Sequence, residues 1–172
     1  VHSELTLGEI SFDATNPAPQ PGDDSIRFLR SKLSLVSDPV ESKNAWAVWF
    51  IESPTPSNYL KYYETGFLHF FVRSTTELEV SIRSQGLEAN THNAKVHLLA
   101  DYGVPMDGAW QEVYLHLYDF KVNDPNLMFE EIKTYFAIGP VAKYSGDIKD
   151  QEFDVDHVEW VTSDERVFDD EK

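Results

Sequence analysis

Three carboxylates stand at i, i+2 and i+5 in Phe153-Asp154-Val155-Asp156-His157-Val158-Glu159-Trp160. Two carboxyl groups held at a suitable separation can divide the roles of nucleophile and general acid/base. On a regular strand Asp154 and Asp156 share a face and Glu159 lies opposite, so joint action needs a bulge. The histidines, at 2, 69, 92, 97, 116 and 157, never fall at the spacing of two helical metal ligands. Cross-strand pairing of His97 with His116 would make a metal site, although solvated or hydrogen-bonded histidines are the commoner reading. No phosphate-cradling glycine loop, GxGxxG, GxSxG or HExxH occurs. Cysteine is absent, which removes thiol catalysis, disulfides and thiolate metal sites together. No catalytic constellation is complete.

Composition narrows the partners. The chain has 172 residues, 14 basic and 30 acidic side chains, and a net charge of −16. That acidity argues against nucleic acid, anionic membranes and polyanionic glycans, each of which needs a basic surface. A 41% hydrophobic share, 13% aromatic, supplies a packed core rather than a disordered polymer. The length suits one domain. No apolar run reaches the roughly 18 residues of a membrane span. The opening Val1-His2-Ser3-Glu4 has no initiator Met, basic n-region or apolar h-region, and reads as a mature chain or a cut fragment. Residues 163–172 carry five acids and two bases, the composition of a solvated tail or linker, which leaves 1–162 as the domain.

The elements that would position these groups are mostly strands. Apolar and polar residues alternate in 78–82 (Leu78, Val80 and Ile82 inward), 113–117 (Val113, Leu115, Leu117) and 68–72 (Leu68, Phe70, Val72). Val96 and Leu98 do the same in 94–100, and further strands are predicted near 4–13, 26–36, 45–51, 134–141 and 152–161. Pro17, Pro19 and Pro21 interrupt one stretch, and Pro54 with Pro56 another, because proline cannot donate to a ladder. The single helix is expected over Asp124–Lys133, with Asp124 as N-cap and Pro125 in the first turn. Many short strands with one short helix indicate an all-β fold, a β-sandwich jelly roll of two antiparallel sheets.

Two family likenesses follow. The acidic motif in 153–160 is similar to that of jelly-roll glycoside hydrolases that cut β-glucans, whose carboxylates lie about 5 Å apart. That pattern begins and ends with glutamate, however, whereas position 154 is aspartate. The motif also lies too near the C-terminal end for later strands to build a long cleft. The same segment resembles, more fully, the closing strand of jelly-roll carbohydrate-binding modules: aromatic, aliphatic, Asp156, Val158 and Trp160, with His157 where an Asp or Asn is usual. Trp110-Gln111-Glu112-Val113-Tyr114-Leu115 through Phe120 resembles an earlier strand of that family, and 67–74 with 78–83 the hairpin before it. The likeness spans about residues 67–161.

That resemblance implies several expectations. A structural calcium would sit where the first strand meets the last, with Asp156 as the matching ligand and Asp13 and Glu41 as the acids best placed to join it. The strands near 45–51, 77–84, 94–100 and 134–141 would share a sheet whose concave face takes a sugar chain. Parity then places Glu79, Ser81 and Arg83 on that face, with Lys95 and His97 beside them and Tyr135 on the next strand. Trp49 joins as a stacking ring, unless Trp46 is the exposed one. The implied function is non-catalytic: a secreted, monomeric module binding a polysaccharide or oligosaccharide, of β-glucan type, for an attached catalytic domain. The alternatives are a small hydrolase or lyase using Asp154, Asp156 and Glu159, and a sandwich that grips a protein chain.

Overall fold

The computed structural model describes residues 10–13, 28–32, 48–85, 91–141 and 152–162. They form β1 (Ile10–Asp13), β2 (Phe28–Lys32), β3 (Trp49–Ser57), β4 (Phe67–Ser74), β5 (Leu78–Gln85), β6 (Thr91–His97), β7 (Gln111–His116), β8 (Ile132–Pro140) and β9 (Glu152–Val161). Two short α-helices, α1 (Leu98–Tyr102) and α2 (Leu117–Asn123), follow β6 and β7, and single 3₁₀ turns lie at Leu60–Tyr62 and Phe129–Glu131. One sheet has the order β1-β2-β9-β4-β7 and the other β3-β8-β5-β6, with every pairing antiparallel. This is the expected all-β sandwich. Among the described residues no helix is long and apolar enough to cross a membrane.

The core follows from alternation. Leu68, Phe70 and Val72 on β4, with Val113 and Leu115 on β7, face Leu78, Val80 and Ile82 on β5 and Val96 on β6. Each fully buried side chain of this size contributes about 1.5–3 kcal/mol of transfer free energy. Leu98 and Leu117 are buried as well, but from helices rather than from strand ends.

Two expectations about elements are corrected. Asp124–Lys133 is not an α-helix: the helix comes earlier, as α2, and Asp124 closes it through its N–H to the Phe120 carbonyl. Pro125 therefore follows a helix that it cannot continue. The chain beyond it is tied to the sandwich, since the Met128 N–H donates to Ser84 Oγ and Lys121 Nζ to the Leu127 carbonyl. Nor do Pro54 and Pro56 end a strand. β3 runs through both because it is an edge strand, and its ladder to β8 skips from Glu52–Thr134 to Ser57–Ile132.

Candidate functional site

The outer face of the four-stranded sheet is built by register. One row across it reads Phe50, Ala137, Ser81, Lys95, and the next Glu52, Thr134, Arg83, Asn93. Glu79 lies between Gly139 and His97. Ala137, Ser81 and Gly139 are small and buried, so they form a floor below the taller side chains. Over this floor lies an open depression of about 490 Å³, bordered by Glu79, Arg83, Asn93 and Lys95. A second, of about 350 Å³, shares Arg83 and Thr91 with it and runs on past Glu52 and Thr134. Together they make a groove. Phe50 stands on the same face, 49% exposed.

Its polar groups are unevenly paired. Glu79 Oε1 meets Lys95 Nζ at 2.7 Å, and its Oε2 lies 3.6 Å from His97 Nε2. Lys133 Nζ meets Glu52 at 3.0 Å. By contrast, Arg83 Nε and Asn93 Oδ1, on paired positions of β5 and β6, are buried without a hydrogen-bond partner among the described residues. Such a group costs about 1–3 kcal/mol if left so. A ligand hydroxyl can satisfy either once the side chain turns into the depression, since it both donates and accepts.

Of the residues expected on this face, Glu79, Arg83 and His97 are brought together, with Ser81 and Lys95. Trp49 and Tyr135 are not. Trp49 packs edge-on against Phe136, with ring centroids 5.7 Å apart, and its neighbour Phe50 takes the outward position. Tyr135 falls at an irregularity between the Ser81–Ala137 and Arg83–Thr134 pairs. The extra residue in β8 turns it toward the core, beside Tyr59 at 6.4 Å, with the Trp160 indole N–H on its carbonyl. Trp46 and Glu41 lie outside the described residues. Phe50 was legible only as the parity partner of an inward Trp49.

Of the expected metal ligands, Asp13 and Asp156 lie on strands of one sheet, and Glu41 is outside the described residues. Asp13 ends β1, and β2 separates that strand from β9, so the first described strand does not meet the last. Asp156 Oδ1 accepts the His157 N–H at 2.8 Å. His97 and His116 do not pair, because they belong to opposite sheets; His116 Nδ1 instead accepts the Tyr118 N–H.

The bulge that the acidic motif needed does exist. The β4–β9 ladder passes from His69–Glu159 to Phe71–Asp156, and His157, with φ of +50°, occupies the extra position. Asp154 is nonetheless held by Arg73, whose Nη2 and Nε lie 2.6 and 2.7 Å from Oδ2. Arg73 also covers the Trp110 ring at 4.8 Å. Glu159 Oε1 lies 2.9 Å from His69 Nδ1 and 2.9 Å from His157 Nε2. These carboxylates therefore serve pairing on the outer face of the five-stranded sheet. Elsewhere, burial and a 2.5 Å hydrogen bond to Asp119 push the Tyr102 phenol well above its ordinary range, tying α1 to α2.

No family model and no curated protein sequence matches the chain. Solved structures do. The family 30 carbohydrate-binding module of the cellulosomal cellulase Cel9D-Cel44B of Clostridium thermocellum superposes with a TM-score of 0.65 at 11% identity, covering 90% of this chain and 83% of that one. The family 11 carbohydrate-binding module of the cellulosomal cellulase Lic26A-Cel5E, also of Clostridium thermocellum, gives 0.56 at 9% identity, over 90% and 81%. An exo-beta-agarase gives 0.57 at 13% identity, with 90% of this chain matching 22% of that chain. With sequence identity so low, the likeness establishes architecture: the chain has the β-sandwich fold of the carbohydrate-binding modules.

Proposed function

We propose that the chain is a non-catalytic module that binds a polysaccharide chain, of β-glucan type, along the groove of the four-stranded sheet. The observation that carries this reading is the unpaired donor and acceptor of Arg83 and Asn93 in a furrow floored by small residues. Sugar hydroxyls match both, and the exposed Phe50 offers a ring face to pyranose C–H groups. Glu79, Lys95 and His97 supply further polar hydrogen-bond partners at one end. The module acts as a secreted monomer and carries an attached catalytic domain to its substrate. The partial match to a much longer exo-beta-agarase is consistent with such an arrangement.

Affinity electrophoresis against a panel of soluble polysaccharides tests the proposal. Retardation by one or more β-glucans, without release of reducing sugar, is the expected result. Failure to bind any glycan overturns it, and reducing-sugar release would favour hydrolysis by Asp154, Asp156 and Glu159 instead. The calcium implied by the family likeness has its own readout. If Asp156 helps to hold one, a chelator lowers the melting temperature, calcium restores it, and Asp156→Ala removes the response.

A further inference from the structure

The outer face of the five-stranded sheet carries a cluster that the groove does not use. One ring nitrogen each of His69 and His157 and a Glu159 carboxylate oxygen all lie within 4.8 Å of one another. The geometry points to a divalent transition-metal site of the zinc class, formed by His69, His157 and Glu159, that pins β4 to β9 across the bulge.

The donor set decides the class of ion. Two imidazole nitrogens and one carboxylate suit zinc and its neighbours, whereas calcium and magnesium demand mostly oxygen. A tetrahedral zinc with bonds of about 2.0–2.1 Å sets its donor atoms roughly 3.3 Å apart. The 2.9 Å separations from Glu159 Oε1 to each ring nitrogen are already close to that edge. The side chains of His157 and Glu159 are 42% and 43% exposed, so both can make the remaining adjustment. They also leave the fourth position open to water.

His69 is set differently. It is 6% exposed, stacked on Tyr114 at 4.3 Å and 14°, and its Nε2 lies 3.0 Å from Glu112 Oε1. The Tyr114 hydroxyl donates to that same Glu112 oxygen at 3.0 Å. A carboxylate on the far nitrogen is the usual outer support of a metal-bound histidine, because it fixes the tautomer and the ring plane. The bulge matters as well. His157 adopts a φ of +50°, a region that residues bearing a β-carbon seldom enter, and its ring comes to Glu159 on the His69 side. The excess of acids, with a net charge of −16, favours cation capture generally.

Titration of the chelator-treated full chain with zinc chloride tests the inference. Calorimetry should give one-to-one binding, and zinc should raise the melting temperature further when calcium is already present in saturating amount. His157→Ala and Glu159→Gln, both at exposed side chains, should each weaken zinc at least tenfold, and Glu112→Gln about tenfold through the lost support of His69. His92→Ala, on the other sheet, should leave zinc binding unchanged. Two results overturn the site: no zinc binding at large molar excess, or equal binding by wild type, His157→Ala and Glu159→Gln. Glycan binding is scored separately, so failure of the metal site leaves the groove reading standing.

Discussion

The two outer faces of this sandwich are made from the same kind of alternating strand and finished in opposite ways. On the four-stranded sheet the central positions are Ser81, Ala137 and Gly139, leaving a furrow whose Arg83 and Asn93 atoms lack partners. On the five-stranded sheet the corresponding layer holds His69 stacked on Tyr114 and edge-on to Phe71, and Arg73 over Trp110, joined to Glu112, Asp154 and Glu159. There His69 and Phe71 are buried even though they point away from the core. A face that is to be closed fills itself and pairs its charges. One that is to meet a ligand leaves space and unmet hydrogen-bonding capacity.

The largest effect should come from breaking the closed face. Asp154→Ala removes a carboxylate partner from the mostly buried Arg73 guanidinium and should cost about 3–5 kcal/mol of stability, read from chemical denaturation. Glycan binding per folded molecule should not change. An unchanged denaturation midpoint would mean that this ion pair does not secure the face.

Adjacent residues of β5 sharpen the contrast. Ile82→Ala empties core volume and should cost about 2–5 kcal/mol of stability while sparing affinity. Arg83→Ala should weaken glycan binding by about 1.5–3 kcal/mol, roughly 10- to 100-fold, with melting nearly unchanged. If the two outcomes are exchanged, the face assignment is wrong.

A smaller effect is expected at the rim. Phe50→Ala should weaken binding by about 1 kcal/mol, the worth of one ring contact. Trp49→Ala and Tyr135→Ala should lower the melting temperature instead, because both rings pack on the core. Loss of affinity in either, with stability intact, would move the groove.

The smallest effect concerns pH. Burial first, and then the hydrogen bond to Asp119, raise the Tyr102 phenol above its usual range. The folded chain thus keeps a proton that the unfolded chain releases above about pH 10, so stability falls as pH rises through that point. Comparing urea midpoints from about pH 9 to about pH 11, Tyr102→Phe should flatten the decline. An identical slope in both proteins would remove Tyr102 from the alkaline transition.

What the sequence determined by itself is local and periodic. Period-two alternation placed Leu68, Phe70, Val72, Leu78, Val80 and Ile82 in the core, and the same parity set Glu79, Ser81 and Arg83 outward. It also showed which strands share the four-stranded sheet, through the family likeness. Tertiary structure decided everything that depends on a break in that period. One extra residue in β8 turned Tyr135 to the core, and one in β9 set His157 beside His69 and Glu159 on the outer face. Edge position let β3 keep two prolines, and the chain beyond Pro125, anchored to Ser84, forms only a single 3₁₀ turn at Phe129–Glu131. A bulge or an edge is fixed by hydrogen bonds to strands distant in sequence, and no local pattern of side chains encodes those partners.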